Sequence, residues 1–309
     1  LGIGLLHTAS AVTHSLKYFY TASSEVPNFP EFVVVSMVDG VQMVHYDSNS
    51  QRAVPKQDWM NKAAEALPQY WDIETGKFLG SHQSFKANID ICKQRFNQSG
   101  GVHVNQWMYG CEWDDETGVT EGFNQDGYDG EDFIAFDLKT KSWIAPTPQA
   151  VITKLKWDSD TAQNEYLKNY LTQECIEWLK KYLDYGKSTL MRTVPPSVSL
   201  LQKTPSSPVT CHATGFYPSG VMVSWQKDGQ DHHEDVEYGE TLPNDDGTFQ
   251  KSIHLTVTPE DRKNNKYQCV VQVKGIKEDF IKVLTDLDDP NIVLIIGVVV
   301  ALLLVVVAV

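Results

Sequence analysis

Residues 153–185, TKLKWDSDTAQNEYLKNYLTQECIEWLKKYLDY, run for more than thirty positions without a Pro or a Gly. Helix formers dominate, so the stretch is expected to form one long helix. Leu167, Leu171, Cys175 and Leu179 repeat every four residues and are expected to pack downward on another layer. Trp157, Tyr170, Trp178 and Tyr182 lie on a neighbouring face. Tyr and Trp carry a polar handle on a rigid ring, which suits a surface that grips a ligand. A wide core-facing stripe gives the same pattern. Two features favour the ligand reading: Thr153, Lys156 and Trp157 cluster at one end, and Cys175 sits in the middle of what reads as an exported chain.

Both termini support export. Residues 1–11 begin apolar and finish Ala9-Ser10-Ala11, an A-x-A-like cleavage site. They read as a signal-peptide remnant, with the mature chain starting near Val12; an ordinary strand is the other reading. Residues 292–309 carry no charged or polar side chain. A spanning helix needs roughly 20 apolar residues, so this is expected to be a truncated transmembrane helix. The acidic stretch 286–291 before it suits a non-cytoplasmic stalk. The expected placement is single-pass type I in the plasma membrane, after assembly in the endoplasmic reticulum.

With 309 residues and 41% hydrophobic content, the chain can build two or three domains with real cores. Its net charge of −14 argues against nucleic-acid binding, which needs a basic face. Five Cys occur with no CxxC or Cys/His zinc spacing, so disulfides with one thiol left over are expected. No GxSxG, HExxH, phosphate-loop or dinucleotide pattern is present, and neither an enzyme nor a cofactor is read. Residues 126–132 look like a calcium loop but lack its ligand spacing, so no metal is expected there.

Residues 15–48 alternate as strands, with Asp39-Gly40 as a hairpin signal. Residues 59–96 turn helical, are interrupted at Pro68 and restart at Tyr70. Asn97-Gln98-Ser99 is the only N-x-[ST] sequon and falls in a loop, so Asn97 is expected to carry a glycan. Strands return over 102–111, 122–129 and 132–137, before the long helix. Residues 12–101 and 102–193 thus share one strands-then-helix plan, which suggests a continuous sheet under two helices. A Cys111–Cys175 bond would tie the second helix to its sheet.

From Thr193 the texture changes. Pro195, Pro196, Pro205 and Pro208 break up helices, and short strands follow. Cys211 and Cys269 flank Trp225, and Tyr267 stands two residues before Cys269, the tyrosine-corner position of an immunoglobulin domain. The run from Cys211 to Pro218, Cys-x-x-x-x-Phe-Tyr-Pro, narrows residues 194–285 to a constant-type (C1) sandwich closed by Cys211–Cys269.

Tyr70-Trp71-Asp72, Asn97-Gln98-Ser99, Met108-Tyr109-Gly110-Cys111, Tyr128-Asp129-Gly130, Lys156-Trp157, Cys175-Ile176-Glu177-Trp178-Leu179 and Gly247-Thr248-Phe249-Gln250-Lys251 are specific stretches. On them, residues 12–285 resemble the heavy chain of a major histocompatibility complex class I molecule. The resemblance implies an α+β groove of two helices over an eight-stranded antiparallel sheet. Its alpha-1 half is 12–101 and its alpha-2 half 102–193, with the alpha-3 immunoglobulin domain, 194–285, below. It also implies a separate beta-2-microglobulin subunit and short peptides shown to T-cell receptors.

Residue roles follow from the same resemblance. Tyr18, Tyr70, Tyr170 and Tyr182, with Trp178, match the set around the peptide amino terminus, where phenols hydrogen-bond an ammonium and its neighbouring carbonyl. Thr153, Lys156 and Trp157 match the carboxyl-terminal set. Arg95 stands where mammalian chains have Tyr, two residues before the sequon; it too pairs with carboxylates, and it points to a non-mammalian classical type. One residue more than in the mammalian pattern lies between Trp157 and Tyr170, so a bulge is expected between Asp158 and Gln163.

Tyr20, Trp107, Tyr109, Asn124 and Asp126 are the expected groove floor. Asp126 falls near the carboxyl-end pocket, where a buried carboxylate needs a partner. Either peptides with polar or basic last side chains supply it, or Arg95 or another residue does so internally. Cys92, the leftover thiol, reads as a small buried hydrophobe lining the groove or as a site of disulfide-linked dimers. Asp231, Glu234 and Asp235 fall in a loop resembling the T-cell coreceptor contact, although a solvated charged turn looks the same. The competing reading is a non-classical relative that presents lipid or serves as a ligand-free receptor ligand. A lipid groove would lack the terminal tyrosines and the Lys156 site.

Overall fold

Alternating burial along Thr13–Ser23 (β1) sets up the first unit of this computed structural model. Leu16, Tyr18, Tyr20 and Ala22 are buried on one face, while Lys17, Phe19 and Thr21 are half-buried on the other. The structure describes residues 13–24, 26–204 and 206–285. The expected signal remnant (1–11), stalk (286–291) and membrane helix (292–309) lie outside those residues. Among the described residues, no helix is long and apolar enough to cross a membrane. The chain divides into two units, Leu1–Met191 and Arg192–Val309.

In the first unit β1 is followed by β2 (Phe32–Val38), β3 (Val41–Asp47) and β4 (Val54–Pro55), then α1 (Asn61–Ala66) and α2 (Tyr70–Arg95). The plan repeats with β5 (Val104–Asp114), β6 (Thr120–Tyr128), β7 (Glu131–Asp137) and β8 (Ser142–Ile144). The eight strands form one antiparallel sheet, ordered β4-β3-β2-β1-β5-β6-β7-β8. The β2–β3 turn is Asp39-Gly40, with φ of 51° and 76°, as the twist of a tight hairpin requires. Asp39 also accepts from Ser15 N at 2.8 Å and pairs with His14 at 2.7 Å, which pins the turn to β1.

The single helix expected over 153–185 is in fact broken. It consists of α3 (Pro148–Asp158), α4 (Thr161–Asn169), a π-helical turn Tyr170–Glu174, and α5 (Cys175–Tyr185). Competing hydrogen bonds cause the break without any Pro or Gly. Asp158 accepts from Trp143 N at 2.8 Å and from Lys154 Nζ at 2.6 Å, while Lys154 also donates to Trp143 O at 2.7 Å. Those bonds hold the end of α3 on β8. Asp160 then caps α4 by accepting from Gln163 N at 3.1 Å, one half of a capping box. The bulge expected between Asp158 and Gln163 takes this form.

The four-residue stripe is only partly a packing stripe. Leu171, Cys175 and Leu179 are fully buried. Leu167 instead lines the cleft between the helices. In a regular α-helix a four-residue repeat drifts by about 40° per step. The wide π turn offsets part of that drift, but it begins only after Leu167.

Cys111 is bonded to Cys175, as expected, although it lies inside β5 rather than at a strand end. Beside it in the sheet, opposite Cys111, is Gly122. A Cβ added there would come within 2.8 Å of Leu171 Cβ and 3.1 Å of its carbonyl oxygen. The second helix therefore descends onto the sheet at Gly122 and is cross-linked there.

The second unit is a two-sheet sandwich. One sheet runs Val236–Tyr238, Phe249–Leu255, Val209–Phe216, Ser197–Leu201, with Leu242–Pro243 also paired to Phe249–Leu255. The other runs Gln230–His232, Val221–Lys227, Tyr267–Val273, Phe280–Val283. Cys211–Cys269 joins the two sheets, with Trp225 fully buried and paired in register with Cys269.

Replacing Cys111 and Cys175 by Ser together frees a 64-residue separation; chain entropy puts the loss at about 4 kcal/mol. Gly122→Val overpacks the same contact and is expected to cost about 1–3 kcal/mol. Thermal unfolding of the two variants beside the parent checks both values.

Candidate functional site

The sheet register builds the floor of the cleft. Tyr18 faces Tyr109, which faces Asn124; Tyr20 faces Trp107, which faces Asp126. Side chains of directly paired residues share a face, so these two rows and the Ala22–Asn105–Tyr128 row all lie under the helices. Tyr18 and Tyr109 stack at 4.8 Å, and Tyr20 packs against Phe32, Phe78, Phe85 and Trp107. Asn124 is internally satisfied, accepting from Trp107 Nε1 at 2.8 Å.

At one end, tyrosines from β1, α2, the π-helical turn and α5 converge. Tyr70 on α2 and Tyr182 on α5 share a 2.8 Å hydroxyl hydrogen bond. Trp178 stacks on Tyr182 at 5.5 Å, and Tyr170 meets Tyr109 edge-on at 6.0 Å. Tyr18, Tyr70 and Tyr182 are all buried. Burial raises the phenols of Tyr18, Tyr70, Tyr170 and Tyr182 well above their ordinary value, with the charge of Glu74 adding to each. They therefore stay neutral hydroxyls, able both to donate and to accept.

Glu74 is a residue that sequence reasoning missed. It bonds Lys77 at 2.8 and 2.9 Å, and Lys77 Nζ lies 5.4 Å from the Tyr18 ring centroid. The signal was available: Tyr70, Glu74 and Lys77 are spaced i, i+4, i+7, which places them on one helix face.

At the other end α3 closes the cleft. Arg95 Nη1 donates to Thr153 Oγ1 at 2.5 Å and to Gln149 O at 3.2 Å, lacing the end of α2 to α3. No ion pair joins Arg95 to Asp126. Trp157 packs edge-on against Trp143 at 4.5 Å, and Asn164 bridges them, donating to Trp157 O at 2.9 Å and accepting from Trp143 Nε1 at 3.0 Å. Lys156 is exposed at the rim.

Between the two ends lies a cavity of about 640 Å³ whose lining includes Lys77, Trp107, Tyr109, Asp126, Lys156 and Tyr170. A smaller pocket of about 140 Å³ adjoins it at the α3 end and shares Asp126, Lys156 and Trp157 with it. Asp126 is half-buried where the two cavities meet, and burial pushes its carboxyl up to about 7. Cys92 is buried in the wall of the small pocket and is not disulfide-bonded; its position is poor for linking to another chain. Burial pushes its thiol up to about 11.

Away from the cleft, Asn97 is exposed at the end of α2 with φ of 53°. Asp231, Glu234 and Asp235 are exposed in the second unit, where Asp231 also accepts from Gln226 Nε2 at 3.1 Å. Among the described residues no His, Cys, Asp and Glu cluster has the arrangement to hold a metal ion.

The family profile described as "Class I Histocompatibility antigen, domains alpha 1 and 2" matches residues 12–190, and "Immunoglobulin C1-set domain" matches residues 191–276. The chain is similar to the class I histocompatibility antigen F10 alpha chain of Gallus gallus, 42% identical over 88% of this chain and 79% of the relative. It is also similar to the major histocompatibility complex class I-related protein 1 of Mus musculus, at 39% over 89% and 80%. The H-2 class I histocompatibility antigen Q10 alpha chain of Mus musculus matches at 38% over 87% and 83%.

A thiol that is both enclosed and neutral resists alkylation. Cys92 is expected to react with iodoacetamide at pH 8 at least tenfold more slowly in the native chain than in denaturant, as mass spectrometry of the labelled peptide would show.

Proposed function

The chain belongs to the class I histocompatibility antigen family, and from that premise we propose that it displays short peptides at the cell surface to T-cell receptors. The observation that carries this reading is the pairing of unlike ends in one cleft. Tyr18, Tyr70, Tyr170 and Tyr182 gather at one end, and Thr153, Lys156 and Trp157 stand at the other. Every peptide has an ammonium at one end and a carboxylate at the other, so such a cleft binds termini without reading side chains.

Neutral tyrosine hydroxyls, backed by Trp178 and the negative charge of Glu74, receive the ammonium and the first carbonyl. Lys156 supplies the charge for the terminal carboxylate, Thr153 a hydroxyl and Trp157 an indole N–H. Arg95 positions Thr153 through its hydrogen bond and keeps further N–H groups to offer. Tyr20, Trp107, Tyr109, Asn124 and Asp126 form the floor that the peptide side chains meet. The protein acts by binding and not by catalysis.

Beta-2-microglobulin is the proposed subunit partner. Residues 12–101 and 102–193 are the proposed groove halves and 194–285 the immunoglobulin domain. Its exposed Asp231, Glu234 and Asp235 are offered to a T-cell coreceptor, and Asn97 to a glycan. Residues 1–11 are assigned as leader, 286–291 as stalk and 292–309 as the membrane anchor of a single-pass type I protein.

Co-expression with beta-2-microglobulin, mild acid elution and mass spectrometry test the reading. A ladder of short peptides with fixed anchor positions is expected; recovery of lipids, or of an empty yet stable complex, overturns it. Tyr70→Phe or Tyr182→Phe removes a hydrogen bond near a charged group, worth about 1.5–3 kcal/mol. Each is expected to weaken peptide affinity by roughly tenfold to a hundredfold in a competition assay.

A further inference from the structure

Asn164, on α4, is a polar side chain with only 3% of its surface exposed, and the roles assigned above leave it unused. A buried amide persists where both of its ends are satisfied, and here both go to tryptophans. Its Nδ2 donates to Trp157 O at 2.9 Å, and its Oδ1 accepts from Trp143 Nε1 at 3.0 Å. The two bonds fix the orientation of the amide, because a flipped amide would set donor against donor and acceptor against acceptor.

Each bond meets a specific need. Trp157 O is one of the last carbonyls of α3, which have no partner within the helix. They are satisfied from beyond its end. Ser159 Oγ donates to Lys156 O at 2.6 Å, and Asp160 N donates to Trp157 O at 3.2 Å beside Asn164. Trp143 is 6% exposed, and among the described residues its indole N–H has Asn164 as its acceptor. Without that acceptor a buried donor would be left unmade, which is costly.

Asn164 thus reaches back across the break and ties α4 to α3 and to β8 at once. The backbone of Trp143 is held too, by Asp158 at 2.8 Å on its N–H and by Lys154 at 2.7 Å on its carbonyl. Backbone bonds leave a side chain its own torsions; the bond from Nε1 to Asn164 removes that freedom. The Trp157 ring meets this fixed surface edge-on, at 4.5 Å and 61°. Its own Nε1 donates to nothing among the described residues, while the residue lines both cavities. That N–H is available to an occupant, and its direction is set by the ring that Asn164 holds.

We propose that Asn164 is a positioning residue for the bound peptide: by locking the Trp143 ring and the Trp157 carbonyl, it aims the Trp157 N–H at the last carbonyl of the peptide chain. The proposal rests on the peptide-presenting reading and adds a residue to its carboxyl-terminal machinery. A neutral indole N–H suits a neutral acceptor, so the carboxylate is left to Lys156 and Thr153 and the preceding carbonyl to Trp157. A hydrogen bond weakens steeply with angle, so a ring free to rock would spend part of its time without the bond. Holding the ring in place before the peptide arrives removes that cost from binding.

The test uses the full chain assembled with beta-2-microglobulin and two peptides, one natural and one with an (E)-alkene in place of its last peptide bond. The alkene removes the carbonyl and adds no charge. Competition binding gives the affinity ratio of the two, natural over alkene. In Trp157→Phe, which removes the donor itself, the ratio is expected to drop at least about threefold from the parent's. Asn164→Ala is expected to reproduce most of that drop, and adding it to Trp157→Phe is expected to lower the ratio no further. Asn164→Leu keeps the side-chain volume without the hydrogen bonds and takes the place of Asn164→Ala should that variant fail to assemble. A role confined to stability weakens both peptides alike and leaves the parent's ratio in place, which overturns the proposal. So does a ratio that falls further in the double variant, or one that Trp157→Phe leaves unchanged. Each of these leaves peptide presentation standing. If the intact parent complex binds neither peptide, the peptide reading itself falls, and this proposal with it.

Discussion

The antiparallel seam between β1 and β5 carries the rest of the groove unit. Pairing runs from Thr13–Asp114 to Ser23–Val104 without a register shift, and it turns two four-stranded halves into one sheet. Because side chains alternate with a period of two, this register alone decides which residues meet the cleft. It lifts Tyr18 and Tyr109, Tyr20 and Trp107, and Ala22 and Asn105 to the same face. A slip by one residue would turn Lys17 and Phe19 upward and bury a charge under the helices.

The helices depend on that face in different ways. α2 is one continuous rod that lies on the aromatic floor through Phe78 and Phe85. The opposite wall is made of pieces. Its middle is drawn down at Gly122 and bonded through Cys175, whereas α3 is turned by Asp158 and Lys154 to sit over β8. Trp157 is thereby aimed at Trp143 and the end of the cleft. The break is therefore part of the site, since a straight helix through residues 153–185 could not both descend at Cys175 and close the α3 end in this way.

Much of this was legible in the chain because it rests on local rules. Alternation placed the strands, Asp39-Gly40 marked its turn, and Pro68 separated α1 from α2. The cysteine pairings followed from the repeated half-plan and the immunoglobulin pattern. What escaped depends on contacts between distant segments. The break after Asp158 is driven by Trp143, fifteen residues upstream on another element. The local half of that signal, Asp160 three residues before Gln163, was present but is easily outweighed by a run of helix formers. Leu167 was assigned to the packing stripe because a periodic pattern cannot reveal a π turn three residues further on. Whether Arg95 neutralises Asp126 also lay beyond the sequence, since it turns on where one guanidinium spends its donors.

The two ends of the cleft are fastened by different means. A covalent cross-link and close backbone contact hold the wall near the tyrosines. At the α3 end the described residues supply no cross-link; side-chain hydrogen bonds involving Arg95, Lys154, Asp158 and Asn164 hold the wall, together with Trp157 packed on Trp143. Local opening is governed by the contacts that a segment must give up, so a short helix laced by side chains opens at a lower free energy than one that is cross-linked. For the peptide display proposed above, exchange is then expected to begin beneath α3, with a residence time set by the fraying of that short helix rather than by unfolding of the whole unit.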